Sequence, residues 1–134
     1  MIAVDSSVVV AACASWHEAH GIAQEALDER PRLIAHCALE TFATLTRLPW
    51  PHRIQGEMVA RFLEDRFVDE PLMLSALKMR DLVSVLHGLG LSGGAIYDGY
   101  IALTAAEHGA NLVSLDRRAE DTYRRCGASY RILM

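Results

Sequence analysis

The sequence predicts an α/β protein built on a parallel sheet. Short apolar runs alternate with segments of helical period along the whole chain. Two of those runs, Ile2-Ala3-Val4 and Leu112-Val113-Ser114-Leu115, lead straight into an acid, Asp5 and Asp116. Strands that alternate with helices imply parallel pairing and a sheet covered on both faces. In such sheets ligands bind beyond the carboxyl ends of the strands, which is where both acids fall.

The elements follow in order. Met1 to Ser7 is a buried strand with a polar stop, and Val8 to Cys13 is a short helix. Trp16 to Glu29 carries Ala19, Ile22, Ala23, Ala26 and Leu27 at helical spacing, and Arg30-Pro31 ends it. Leu33-Ile34-Ala35 is a second strand. His36 to Leu48 is a helix with Leu39, Phe42, Ala43 and Leu45 as its apolar residues, stopped by Pro49-Trp50-Pro51 because proline cannot continue a helix. Ile54 to Phe67 is the next helix, and Met58, Val59, Phe62 and Leu63 form its apolar side. Pro71 to Leu74 suits an edge strand, the one sheet position that tolerates proline. Lys78 to Leu89 is helical. Ser92 is placed to cap a helix from Ala95 to His108, closed by Gly109. Asn111 to Leu115 is the second clear buried strand, and a helix from Arg118 to Arg125 and a strand from Arg131 to Leu133 complete the chain.

Composition sets the class. With 134 residues, 51% hydrophobic and 22% charged, the chain is expected to form one globular domain with a core of its own. No stretch reaches the ~20 apolar residues of a membrane span, and no secretory leader pattern is present. Cys13, Cys37 and Cys126 are odd in number and widely spaced, which suits reduced thiols in the cytoplasm. A net charge of −4 argues against a broadly basic nucleic-acid binder. Acids gathered around a divalent cation would reverse that sign locally.

Four acids are placed to meet. Asp5 and Asp116 follow strands; Glu40 and Asp98 are expected in first helical turns at the same sheet edge. Each alone has a structural explanation, since acids cap helices and favour the N-terminal end of the helix dipole. Asp98 fits that explanation least, lying among Ala95-Ile96-Tyr97 and Tyr100-Ile101-Ala102. Carboxylates brought together repel and rise in pKa unless a cation neutralises them. Oxygen ligands without His or Cys suit Mg²⁺ or Mn²⁺, and the chemistry allowed is metal-assisted phosphodiester hydrolysis. Neutralising Asp5 or Asp98 is then expected to raise metal-free stability. Arg47, Arg53, Arg117 and Arg118 are the candidate phosphate contacts, the last two directly after Asp116.

The chain resembles PIN-domain ribonucleases, in particular the VapC toxins of bacterial VapBC toxin–antitoxin pairs. The matching segments are Val4-Asp5-Ser6-Ser7, Ala38-Leu39-Glu40-Thr41, Thr46-Arg47-Leu48-Pro49 and Pro51-His52-Arg53. The longest match is Gly94 to Asp98, continuing to Leu112 to Arg118. The resemblance implies a single PIN domain over residues 1–134, with a three-layer α/β/α fold and a mainly parallel sheet of four to five strands. It implies a Mg²⁺- or Mn²⁺-dependent endoribonuclease, a homodimer, held inactive by a cognate VapB-type antitoxin and directed at RNA such as tRNA or rRNA. By position, Asp5 and Asp98 become the principal metal ligands, and Glu40 and Asp116 complete the catalytic cluster. Ser6 and Ser114 supply hydroxyls that orient an acid or a water. Serine at 114 replaces the commoner threonine and keeps the hydroxyl.

Other readings fail on named residues. A receiver domain wants a paired acid after strand one and a late lysine, but serines follow Asp5 and Lys78 is the only lysine. A haloacid-dehalogenase-like phosphatase wants an Asp where Ser7 stands. Cys13, His17 and His20 lack zinc-ligand spacing. Helices two and four, with Ala23, Leu27, Met58 and Phe62, are a candidate groove for an antitoxin helix. The alternative left standing is a non-catalytic PIN-like module that binds RNA or protein.

Overall fold

The computed structural model describes residues 1–133, and the expected architecture is the one observed. Four strands, β1 (Ile2–Val4), β2 (Arg32–Leu33), β3 (Asn111–Ser114) and β4 (Tyr130–Ile132), form one sheet in the order β2-β1-β3-β4. All three pairings are parallel, with Val4 opposite both Leu33 and Val113. The chain first steps outward from β1 to β2 and later returns to β3 on the other side of β1. That reversal makes the β1–β3 gap the topological switch point, where the carboxyl ends of an open sheet leave a crevice. Right-handed crossovers in opposite directions also send helices to opposite faces, giving three layers.

Seven helices among the described residues cover the sheet: α1 (Ser6–Cys13), α2 (His20–Asp28), α3 (Ala35–Arg47), α4 (Gly56–Arg66), α5 (Ala76–Gly88), α6 (Ala95–Glu107) and α7 (Glu120–Arg125). The core joins Ala3, Val4, Leu112 and Val113 of the sheet to Val8, Val9, Ala11 and Ala12 of α1 and to Ile101, Ala102 and Ala105 of α6. Alanine at so many of these sites lets the two helices sit close on strands only three or four residues long. A smaller cluster, Ala14, Leu45 and Val59, seats α4 against α3.

Several expectations shift. The segment Trp16 to Glu29 is helical only over His20–Asp28, because Ala14 to Ala19 goes into turns closed by His17 N–H to Ala14 C=O and His20 N–H to His17 C=O. Helix α3 begins at Ala35, and Glu40, its sixth residue, lies in the second turn rather than the first. Its buried stripe runs Cys37, Thr41, Leu45, so Leu39 and Phe42 stay exposed. Pro71 to Leu74 contributes a single parallel bridge, Ile34 to Leu72, rather than a strand. Ser92 does not cap α6; Gly94 holds that place and no side chain caps the helix. Ala23 and Leu27 are core residues, whereas Met58 and Phe62 line an open depression with Trp16, Pro51 and Ile54. No helix among the described residues is long and apolar enough to cross a membrane.

Candidate active site

Asp5 ends the central strand and starts α1 in the same step. Its backbone is extended (φ −90°, ψ 177°), and its Oδ1 accepts from the N–H groups of Ser7 (3.0 Å) and Val8 (3.4 Å), so it caps the helix. The Ser7 hydroxyl also donates to Oδ1 at 2.5 Å, and the Tyr123 hydroxyl donates to Oδ2 at 2.6 Å. Asp5 is 3% exposed. Burial raises its pKa, against the pull of hydrogen bonds from Ser114, Ser7 and Tyr123. Burial, then the Asp5 charge, raises the Tyr123 phenol well beyond its ordinary value, so it stays a donor.

The strand beside β1 brings the next acid. Leu115 N–H donates to Ser7 Oγ (2.8 Å), and Ser7 Oγ lies 3.4 Å from Ser114 Oγ. Ser114 Oγ accepts in turn from Asp116 N–H at 2.9 Å. These hydroxyls tie the ends of β1 and β3 together and fix where Asp116 leaves the sheet. Asp116 then caps a 3-10 turn, Arg117–Ala119, through Arg118 N–H (3.0 Å), and the Arg118 guanidinium lies 3.6 Å from the same oxygen.

Glu40 reaches the cleft from α3. Ser6 Oγ donates to its Oε1, and His36 Nε2 lies 3.5 Å from its Oε2, within ion-pair range but without hydrogen-bond geometry. His36 is held between rings: stacked on Tyr97 at 5.4 Å and tilted against Tyr100 at 5.1 Å. Asp98 lies in the first turn of α6, as expected, and is half-buried. Its pKa is raised to about 6, first by burial and then by the charges of Asp116, Asp5 and Glu40, with Arg118 opposing. Asp98 thus senses the other three acids.

All four acids line one cleft of ≈ 310 Å³, together with Ser6, Ser7, Arg47 and Tyr123. Arg117 and Arg118 line an adjoining depression that shares Asp116 with the cleft. Arg53 falls outside both; its Nε donates to the Leu48 carbonyl (2.9 Å) beside Trp16 and His52. His17 and His20 engage backbone through Nδ1, with Ala19 N–H and Ala11 C=O. Among the described residues no three His, Cys, Asp or Glu side chains form a ready-made metal cage. Ser7, His36 and Tyr123 were not legible as site residues. Ser7 alone left a trace, since a serine two places after an Asp is the pattern of a local side-chain turn.

An acid-lined crevice at the switch point of a parallel α/β sheet is the arrangement of a hydrolytic or phosphate-handling site. The PIN-domain family model matches residues 2–125. Ribonuclease VapC40 of Mycobacterium tuberculosis is 46% identical over 125 residues, covering 93% of each chain. Ribonuclease VapC27 of the same species (strain ATCC 25618 / H37Rv) is 40% identical over 127 residues, 94% of this chain and 92% of the relative. The chain belongs to the PIN-domain family, in its VapC group.

Proposed function

We propose that the protein is the endoribonuclease toxin of a VapBC pair, cleaving RNA phosphodiester bonds at the four-carboxylate cleft with Mg²⁺ or Mn²⁺. The observation that carries this reading is the convergence of Asp5, Glu40, Asp98 and Asp116 on one cleft, with Asp98 pushed to about 6. The neighbouring charges that help raise Asp98 are ones a cation would offset, and an all-oxygen donor set fits a hard one. Magnesium keeps several waters and takes one or two carboxylates, so two of the four acids suffice to hold it. Asp5 and Asp98 would hold the ion, and Glu40 and Asp116 would complete the cluster directly or through water. Bound there, a divalent cation would ease deprotonation of the attacking water and offset charge on the leaving oxygen.

The chain's own groups supply orientation. Ser6 fixes one Glu40 oxygen, and His36 Nε2 lies 3.5 Å from the other. Ser114 fixes the backbone from which Asp116 projects. Arg47 borders the cleft, and Arg117 and Arg118 flank its far side, where they can receive phosphates on either side of the scissile bond. The relatives' names supply the RNA substrate and, through their VapC designation, a VapB-type antitoxin. The same reading includes self-association as a homodimer. The cytoplasm is the compartment this reading requires.

Incubating antitoxin-free protein with total cellular RNA tests the reading, with Mn²⁺, with chelator, and with Asp98→Asn. Discrete metal-dependent cuts, reduced at least 10³-fold in the variant, are expected, and the mapped ends name the target. Tight RNA binding without cutting in any metal would favour the non-catalytic module instead.

A further inference from the structure

We propose that Tyr123 is a positioning residue for Asp5, holding it in the orientation that receives the metal ion. This rests on the reading above, in which Asp5 is a ligand. Three donors crowd Asp5 Oδ1: two backbone N–H groups and the Ser7 hydroxyl. Those bonds would be made by any residue capping α1, and they leave the carboxylate free to swing Oδ2 about the Oδ1 anchor. The Tyr123 hydroxyl, 2.6 Å from Oδ2, removes that freedom. A carboxylate offers about four lone-pair sites. With Oδ1 saturated and one Oδ2 site taken by Tyr123, the remaining Oδ2 lone pair serves the cleft that both side chains line.

The phenol is itself fixed. Tyr123 is 1% exposed, and its ring packs edge-on against Tyr130 of β4 at 5.8 Å. The Tyr130 hydroxyl bonds to Glu120 Oε2 (2.9 Å), one turn before Tyr123 on α7. The last helix and the last strand are thereby coupled to the acid at the end of the first strand. A buried phenol needs some acceptor, so a hydrogen bond alone would be unremarkable. What distinguishes this one is that its acceptor is a cleft-lining acid, on the oxygen opposite the one that caps α1.

The test is Tyr123→Phe, which deletes the hydroxyl and keeps the ring. Mn²⁺ affinity is read by calorimetry, with RNA cleavage across a Mn²⁺ series and a melting curve beside it. Outer donors to metal ligands typically contribute 10–100-fold in affinity or activity. The variant should melt as a folded protein, bind Mn²⁺ about 10-fold more weakly, and recover most of its cleavage rate at saturating Mn²⁺. A lower melting temperature with unchanged Mn²⁺ affinity would overturn the proposal and leave Tyr123 a structural residue. Cleavage lost at every Mn²⁺ concentration with affinity intact would overturn it too, since the hydroxyl would then act on the substrate. Asp5→Asn separates the two levels: wild-type Mn²⁺ affinity in that variant would sink the ligand reading itself, whereas weakened binding there with normal binding in Tyr123→Phe would sink only the positioning role.

Discussion

Asp98 sets burial against charge more openly than any other side chain in the cleft. Its folded pKa of about 6 lies above the 3.8 of an unperturbed aspartate. Between those values the folded protein holds a proton that the unfolded chain has released, so stability falls as pH rises. The associated stabilisation is complete below pH 3.8 and is lost through about pH 6. Because the side chain is half-exposed, solvent screening leaves on the order of 1 kcal/mol. Asparagine mimics the protonated acid. In chelator, Asp98→Asn should therefore melt about 3 °C above wild type at pH 7.5, with the gap closing towards pH 4. A gap independent of pH would show that Asp98 is not strained by its neighbours. Asp5 is a different case, although the sequence made the two look alike. Its carboxylate caps α1 and satisfies a buried phenol, so relief of repulsion is set against lost hydrogen bonds. For Asp5→Asn the two contributions therefore oppose each other, whereas for Asp98→Asn the relief of charge stands alone.

At the scale of elements, the register of α6 decides where Asp98 stands, and Gly99 decides how closely α5 can lie on α6. A Cβ at Gly99 would come 2.6 Å from Leu86 Cδ2 and 2.9 Å from Leu91 Cδ1. Both leucines are buried, so the clash cannot be relieved into solvent. Gly99→Val should lower the urea midpoint by about 2 kcal/mol of stability through overpacking, and should also reduce cleavage because Asp98 is the adjoining residue. An unchanged midpoint would mean that α5 is loosely seated. The same elements show what was legible. β1 and β3 could be read because each packs apolar residues and then stops at an acid, and Glu40 and Asp98 because the strand rhythm returns both helices to one edge. The expected cap at Ser92 is not formed, since Gly93 takes a positive φ of 58° and carries the chain past it. The stripe on α3, where Thr41 is buried while Leu39 is 72% exposed, could not be read, because partners elsewhere in the fold chose the face. Tyr123 was hidden for the same reason. It meets Asp5 across 118 positions, and within α7 it reads only as an aromatic in a polar helix.

For the whole molecule, the proposed function asks a chain of net charge −4 to bind a polyanion at a cleft lined by four acids. Arg47 on one side and Arg117 and Arg118 on the other are too few to reverse the field of four carboxylates. A cation bound there would therefore do more than chemistry; it would switch the sign of the surface offered to RNA. This makes the effect of one substitution depend on the metal. In chelator, Asp98→Asn removes a repelling charge and should tighten binding of a short single-stranded RNA about threefold, the Boltzmann factor for one charge ~6 Å away in a water-like dielectric. With Ca²⁺ present, a hard oxygen-seeking cation, the same substitution removes a ligand and should weaken binding instead. Fluorescence anisotropy under the two conditions reads the crossing directly. If Asp98→Asn shifts affinity in one direction regardless of cation, the acids do not act as a metal-gated entrance and RNA must approach by the arginine-lined side alone.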